Sequence, residues 1–222
     1  MTFSITARCP DTGMLGIAVS TKLLCVGALC PFAQAGAGAI ATQSFVNPYI
    51  GIKGLAYLAG GMDAVTARDL LAAGDEGRDV RQFAIVDNQG RVATYSGVSC
   101  VDWFGDHAGD GYAVAGNMLV GEPTITQMVT AFEASRGAHL AERLVGALEA
   151  GQAAGGDKRG RQSAALKVVH TEEYPLIDIR VDDHADPVAE LRRVWDMYAI
   201  DRLPFMDRIP TKANPLGVIN RD

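Results

Sequence analysis

Residues 2–8, TFSITAR, restrict the fold of this chain more than any other stretch. Polar side chains at positions 2, 4 and 6 alternate with apolar ones at positions 3, 5 and 7. A period of two is the signature of a β-strand with two different faces, half-buried in a sheet. Residues 9–13, CPDTG, are typical of a reversal, and residues 15–20 predict a nearly apolar return strand. The chain therefore begins inside its own sheet, whereas most chains begin with a loosely held end.

The second residue places a hydroxyl group at the start of this strand. If Met1 is removed, Thr2 carries both that hydroxyl and a free α-amine, whose pKa of about 8 leaves a useful fraction neutral in the cell. Such an amine can accept the hydroxyl proton, which is how N-terminal nucleophiles are activated. The alternative is that Thr2 begins an ordinary strand, and a chain that keeps Met1 favours this alternative.

Composition restricts the class of protein. A chain of 222 residues, 48% of them hydrophobic, can bury a substantial core. A net charge of −6 argues against nucleic acid as the main partner. No apolar run approaches the ~20 residues of a membrane span, so we expect no membrane partner. The four cysteines form no C-x-x-C pair and no leader is recognisable, which predicts the reducing cytoplasm.

The order of predicted elements indicates the fold class. We predict helices at 49–59, 64–73, 124–135, 139–150 and 187–198, and further strands at 35–43, 82–87, 91–95, 112–115, 163–170 and 176–181. Residues 100–111 are polar and rich in Gly and Asp, which predicts a surface loop. Blocks of strands between blocks of helices do not suit a parallel doubly wound sheet, which requires strict alternation. They predict an α+β fold, a four-layer αββα sandwich of two antiparallel sheets with helix pairs outside.

No linker or repeat divides the chain. We therefore expect one domain over residues 1–198 and an extended C-terminal tail over residues 199–222, which contain three prolines. Such a tail can lie over the surface or reach a neighbouring subunit, so a homo-oligomer is expected.

Five segments carry a resemblance to a known family. They are 2–5 (TFSI), 36–43 (GAGAIATQ), 116–119 (GNML), 155–165 (GGDKRGRQSAA) and 181–184 (VDDH). Over residues 2–198 the chain resembles a bacterial and archaeal family of unknown function that is assigned to the N-terminal-nucleophile (Ntn) hydrolase superfamily. The segment 155–165 is the most specific of the five. The resemblance implies an Ntn-hydrolase-like fold, and more weakly an activity, because a fold does not determine function.

In such a fold, strand ends converge on Thr2 in a cleft between the sheets. Lys22 directly follows the return strand, where a cation can lower the pKa of the amine and stabilise an oxyanion, or it is a surface lysine. Gly116 and Asn117 supply a backbone N–H and an amide for an oxyanion hole, or they form a turn. Arg159 or Arg161 can clamp a substrate carboxylate. The expected substrate-binding residues are Gln43, Asn47, Asp157, Arg159, Arg161, Gln162 and Ser163.

Three functions follow from these residues. The first is an Ntn-type amidohydrolase or acyl-transfer enzyme that acts on a small amide, such as an amino-acid or peptide derivative, without a cofactor. The second is a non-catalytic small-molecule binder or structural oligomer on the same fold. The third is a metal-dependent hydrolase that uses Asp182, Asp183 and His184. Adjacent strand residues point to opposite faces, which disfavours the third, so no metal is expected.

Overall fold

The computed structural model describes residues 2–219. Its strands are β1 (Thr2–Arg8), β2 (Leu15–Thr21), β3 (Pro31–Gln34), β4 (Gly38–Ser44), β5 (Arg81–Asp87), β6 (Val92–Ser96), β7 (Gly105–Gly109), β8 (Tyr112–Asn117), β9 (Ser163–Val169) and β10 (Ile177–Val181). Its helices are α1 (Pro48–Ala59), α2 (Ala64–Ala73), α3 (Pro123–Ala134), α4 (Leu140–Ala153), α5 (Pro187–Met197) and α6 (Leu203–Met206). The ends of the five predicted helices differ from the observed ends by three residues or fewer.

The strands form two antiparallel sheets. The first has the order β10-β9-β2-β1-β8-β7, and the second has the order β3-β4-β5-β6. The first strand of the chain therefore lies inside the larger sheet, between β2 and β8. This confirms that the described chain begins within its sheet.

Helices cover the outer faces of both sheets. One apolar core joins α3, α4 and α5 to the first sheet, and a second joins α1 and α2 to the second sheet. A third cluster, with residues from β2, β4 and β9, fills the space between the sheets. The predicted α+β four-layer sandwich is therefore confirmed. None of the helices within residues 2–219 combines the length and the apolar character that crossing a bilayer requires.

Strand β1 is buried on both faces, whereas its alternation predicts one face in water. Its apolar residues Phe3 and Ile5 pack in the helix-covered core. Its polar residues face the second sheet, since the Ser4 hydroxyl donates to Gln43 Oε1 of β4 over 2.7 Å. The polar face is covered by protein, so its hydroxyl groups have to find partners there. The hydroxyl of Thr6 has none among the described residues.

Three predicted segments differ from the structure. The predicted strand 35–43 begins only at Gly38, because residues 35–37 form the turn that joins it to β3, a strand that the sequence analysis did not predict. The predicted loop 100–111 contains β7, an edge strand of largely exposed polar and small residues that has no apolar alternation to reveal it.

The predicted extended tail begins with a π-helix, Tyr198–Arg202, and α6, in which Met206 is buried. Residues 207–219 contain no helix or strand. The first part of the tail is therefore helical, although it contains Pro204.

Two helical glycines test the packing of the outer layers. A Cβ at Gly51 of α1 would overlap the ring of Phe32 on β3, whereas a Cβ at Gly146 of α4 would meet no atom of residues 2–219 within 4 Å apart from the adjacent residues and backbone of its own helix. We expect Gly51→Ala to lower the free energy of unfolding by about 1–3 kcal/mol, because a rigid ring has to move. We expect Gly146→Ala to raise it by about 0.5–1 kcal/mol, because alanine favours the helix. Urea denaturation measures both, and two equally stable variants would contradict the packing of α1 on β3.

Candidate active site

A row of four polar residues crosses the first sheet at the end where β1 begins. The antiparallel register places Thr2 beside Thr21 of β2 and Asn117 of β8. It also places Thr21 beside Ser163 of β9. Register partners project from the same face, so the four side chains form one continuous row that faces the second sheet. All four are buried.

Thr21 belongs to this row although the sequence analysis did not name it. Its hydroxyl accepts a hydrogen bond from the Thr2 hydroxyl over 3.2 Å. The signal was present in the hairpin, because pairing residues 2–8 with 15–21 around the turn 9–13 puts position 2 opposite position 21. The register of the hairpin therefore identifies the immediate neighbour of Thr2.

Thr2 lines a small pocket between the two sheets. The pocket has a volume of about 80 Å³, and 6% of the Thr2 surface is exposed. Most of the residues that line the pocket are apolar. Several of these, among them Leu23, Leu24 and Leu29, are exposed at its mouth. The pocket is lined by Thr2, Thr21, Leu23, Leu24, Cys25, Val26, Leu29, Cys30, Thr42, Gln43, Ser44 and Val46. The arrangement offers a hydroxyl group at the base of an apolar opening.

Unusual backbone conformations cluster around this pocket. Three non-glycine residues of the described chain have a positive φ, namely Cys25 (59°), Ser44 (69°) and Met118 (49°). Cys25 and Ser44 line the pocket, and Met118 directly follows Asn117. Left-handed conformations cost about 1–3 kcal/mol each outside glycine and are concentrated at functional sites. Their clustering marks this end of the sandwich as a specialised region.

A network of buried amides supports the row from the second sheet. Gln82 Oε1 on β5 accepts from Gln43 Nε2 at 2.8 Å and from Asn117 Nδ2 at 3.0 Å. Gln82 Nε2 donates to the carbonyl oxygen of Gly116 at 2.9 Å. The Oδ1 atom of Asn117 has no partner among the described residues. The network therefore holds Asn117 beside Thr2 and leaves one of its polar atoms uncompensated.

The glycine- and arginine-rich loop is attached to the same end of the sheet through Asp157. Its side chain is 1% exposed and accepts the backbone N–H of Lys22 at 2.9 Å and that of Arg159 at 2.8 Å. The Arg159 guanidinium also lies 3.3 Å from its Oδ2. The backbone of Asp157 forms an isolated bridge with Leu119. Asp157 thus fastens the loop to the residues that follow β2 and β8, on both sides of Thr2.

Other predicted residues of this loop anchor it to its surroundings. The Lys22 ammonium donates to the carbonyl oxygen of Arg161 over 3.4 Å. The Arg161 guanidinium lies 3.0 Å from Asp186. The Ser163 hydroxyl donates to the carbonyl oxygen of Leu23 at 2.6 Å. The amide group of Gln162 donates to Asp183 at 3.2 Å, so each of these side chains makes a contact within the protein.

Two predicted site residues have a different position or role. Asn47 begins α1, where its side chain accepts the N–H of Tyr49, and it also donates to Asp75. Gly116 lies inside the paired part of β8, between Phe3 and Gly105, and not at a bare strand end. Met1, whose removal the Ntn hypothesis requires, lies outside the described residues.

The acidic segment at the end of β10 is engaged in local contacts. Asp182 pairs with Arg180 at 2.9 Å, and the Nδ1 atom of His184 accepts the N–H of Asp186 at 3.0 Å. Within residues 2–219, no group of three or more His, Cys, Asp or Glu side chains is arranged to hold a metal ion.

Comparisons with known proteins give a family and a fold. The model of a family of unknown function, DUF1028, matches residues 2–191. The solved structure of protein SPO2555 from Silicibacter pomeroyi, described with the same family, is 29% identical, with a TM-score of 0.91 over 100% of this chain and 96% of that chain. Eukaryotic HslV from Trypanosoma brucei is 12% identical, with a TM-score of 0.42 over 76% of this chain and 99% of that one. Anbu (ancestral beta-subunit) from Yersinia bercovieri is also 12% identical, with a TM-score of 0.41 over 94% and 98%. No curated protein matches the chain.

The amide network predicts a large effect for one glutamine. Gln82→Ala removes the shared acceptor of Gln43 and Asn117 and leaves buried polar groups unpaired. We expect a loss of about 2–4 kcal/mol in the free energy of unfolding, measured by urea denaturation. The control is Gln89→Ala on the exposed turn after β5, which should change stability by less than about 0.5 kcal/mol. Similar losses for both variants would contradict the network.

Two cysteines of the pocket should differ in reactivity. Cys25 is exposed, whereas burial raises the pKa of the Cys30 thiol to about 12. Because the thiolate is the reactive form, iodoacetamide at pH 8 should modify Cys25 and spare Cys30 in the folded protein. Peptide mass mapping measures the modification of each cysteine. The control is urea-unfolded protein, in which both cysteines should react. Equal modification of both cysteines in the folded protein would contradict this description of the pocket.

Proposed function

The chain belongs to the family of unknown function DUF1028, and we propose that it is an Ntn-type amidohydrolase or acyl-transfer enzyme that acts on a small amide. Because the function of the family is unknown, this activity is inferred from the residues of the chain itself. The observation that carries the proposal is the position of Thr2. It begins an interior strand, and its hydroxyl lies at the base of an apolar pocket beside Thr21 and Asn117. The proposal requires that Met1 be removed, which leaves the α-amine of Thr2 free.

The amine and hydroxyl of Thr2 would then act together. As Oγ1 attacks the amide carbon, the α-amine takes the hydroxyl proton and a C–O bond forms. Collapse of the tetrahedral intermediate breaks the C–N bond, and the same proton passes to the departing amine. Water, or a second acceptor, then cleaves the ester and restores Thr2. The hydrogen bond to Thr21 orients the attacking oxygen in the resting state.

Asn117 is the group that we propose for the developing oxyanion. It neighbours Thr2 in the register, and its Nδ2 is held by Gln82, which leaves a second N–H on the same nitrogen. A donor fixed before the reaction stabilises the transition state without having to reorganise. Gly116 lies within the paired part of β8, between Phe3 and Gly105. For this reason we assign the role of oxyanion donor to the Asn117 side chain and not to the backbone N–H of Gly116.

The pocket and the loop support a substrate class. Exposed apolar side chains at the mouth, including Leu23, Leu24 and Leu29, suit a small amide with an apolar acyl or side-chain group. Arg159, whose side chain is 37% exposed, is the proposed partner of a substrate carboxylate. In this proposal Asp157 keeps Arg159 and the loop in place, and Lys22 acts on the loop and not on the nucleophile.

The experiment combines intact mass, covalent labelling and turnover. Active protein should begin at Thr2 by mass, and a β-lactone should add one acyl group to that residue. A panel of N-acyl amino acids and amino-acid amides provides the turnover assay. Thr2→Ala should lower turnover by at least about a thousandfold, while Thr2→Ser should retain labelling and part of the turnover.

The matched control is Thr6→Ala on the same face of β1. Its hydroxyl is buried and has no partner among the residues that the structure describes, so its removal should leave both turnover and labelling unchanged. Full turnover by protein that retains Met1, or labelling confined to a residue other than Thr2, would refute the proposal.

A further inference from the structure

A sizeable cavity lies at the opposite end of β1. It has a volume of about 630 Å³ and lies where the β1–β2 turn meets the start of α4. Six strand steps separate Thr2 from Arg8, which corresponds to about 20 Å. The Thr2 pocket and this cavity share no lining residue. The cavity therefore requires an explanation of its own.

The inner part of this cavity is cationic. Arg143 of α4 is 8% exposed, and its guanidinium carbon lies 3.8 Å from the centroid of the Phe132 ring. One of its terminal nitrogens donates to the carbonyl oxygen of Phe132 at 3.1 Å, but its Nε has no partner among residues 2–219. The Nε of Arg8 is also buried and has no partner in that part of the chain.

Buried guanidinium groups are normally paired with an acid. Here burial lowers the pKa of Arg143. Arg136 adds a third guanidinium at the exposed edge of the cavity. A carboxylate is the partner whose two oxygens match the fork of an arginine. The interior thus has guanidinium donors for an anion, and residues 2–219 provide no partner for the Nε atoms of Arg8 and Arg143.

The rim of the cavity has the opposite charge. Asp11, Asp110 and Glu133 line it and are exposed, and Glu133 accepts a hydrogen bond from the Tyr112 hydroxyl at 2.7 Å. Acids at the entrance disfavour a multiply charged anion and attract an ammonium group. An apolar wall of the same cavity is formed by Met14, Phe132 and Leu140.

We infer that this cavity binds a free amino acid or short peptide with an apolar side chain. Its carboxylate meets Arg143 and Arg8, its ammonium group lies at the acidic rim, and its side chain packs against the apolar wall. The site does not involve Thr2, so the inference goes beyond the proposed function and stands without it.

Calorimetric titration of the full chain tests this with four compounds. L-leucine carries all three features, L-leucinamide lacks the carboxylate, N-acetyl-L-leucine lacks the ammonium group, and inorganic phosphate is an anion alone. Leucine should bind with the highest affinity of the four. Leucinamide should bind at least about tenfold more weakly, and N-acetyl-leucine more weakly by a smaller factor. No binding of leucine up to about 10 mM, or phosphate binding more tightly than leucine, would overturn the inference.

Variants locate the binding. Arg143→Gln should weaken leucine binding at least about tenfold, whereas Arg208→Gln, an exposed arginine outside the cavity, should leave it unchanged. If Arg143→Gln does not fold, Arg136→Gln at the exposed edge supplies the test, with a smaller expected loss. Unchanged affinity in the folded variant would overturn the inference.

The Thr2→Ala variant separates the two proposals. It should bind leucine with wild-type affinity even if it loses all turnover. Loss of leucine binding in folded Thr2→Ala would mean that leucine occupies the Thr2 pocket, which would overturn the inference for this cavity and leave the proposed function standing.

Discussion

The buried carboxylate of Asp157 is the interaction on which the Thr2 region depends. The Asp157 side chain is only 1% exposed, so its negative charge has to be compensated inside the protein. Hydrogen bonds from two backbone N–H groups and the nearby Arg159 guanidinium compensate it. One of those N–H groups belongs to Lys22, directly after β2, and the backbone of Asp157 pairs with Leu119, shortly after β8. The first residue of β1 lies between these two strands. Asp157 therefore ties the loop to the segments that follow both strands flanking Thr2.

The second constraint is that β1 has no face in water. Its polar side chains have to find partners inside the protein: Ser4 donates to Gln43 of the opposite sheet, and Thr2 donates to Thr21 of its own sheet. Within residues 2–219, the Thr6 hydroxyl and Asn117 Oδ1 on that side have no hydrogen-bond partner. No physical reason for the Thr6 hydroxyl follows from its surroundings in this part of the chain. Asn117 differs, because it lies beside Thr2 and its amide nitrogen is held by Gln82, so that its unpaired atom is the acceptor Oδ1 and not the N–H group.

The sequence predicts the layers of the fold better than it predicts which residues meet at the Thr2 pocket and at the second cavity. Alternation in residues 2–8 identifies β1, and the blocks of helices and strands indicate the sandwich, because these patterns are local. Register is not local, which is why Ser163 joins the row of Thr2 only once β9 is paired with β2. Strand β7 has no alternation, since it is an edge with exposed polar residues. Arg143 gave no signal either, because whether an arginine on an amphipathic helix lies in water or in a cavity depends on what packs beside it.

The two cavities share one rigid support, which determines how each can affect the other. Helix α4 packs along β1 and carries Arg143 near one end, while at Gly151, near the other, an added Cβ would lie 3.2 Å from Phe3. Close packing alone is not coupling, because coupling requires an element with two arrangements that both sites bias. Neither site needs a second arrangement of α4. A ligand on Arg143 should therefore act chiefly by mass action, stabilising the folded chain and leaving the geometry around Thr2 as it is.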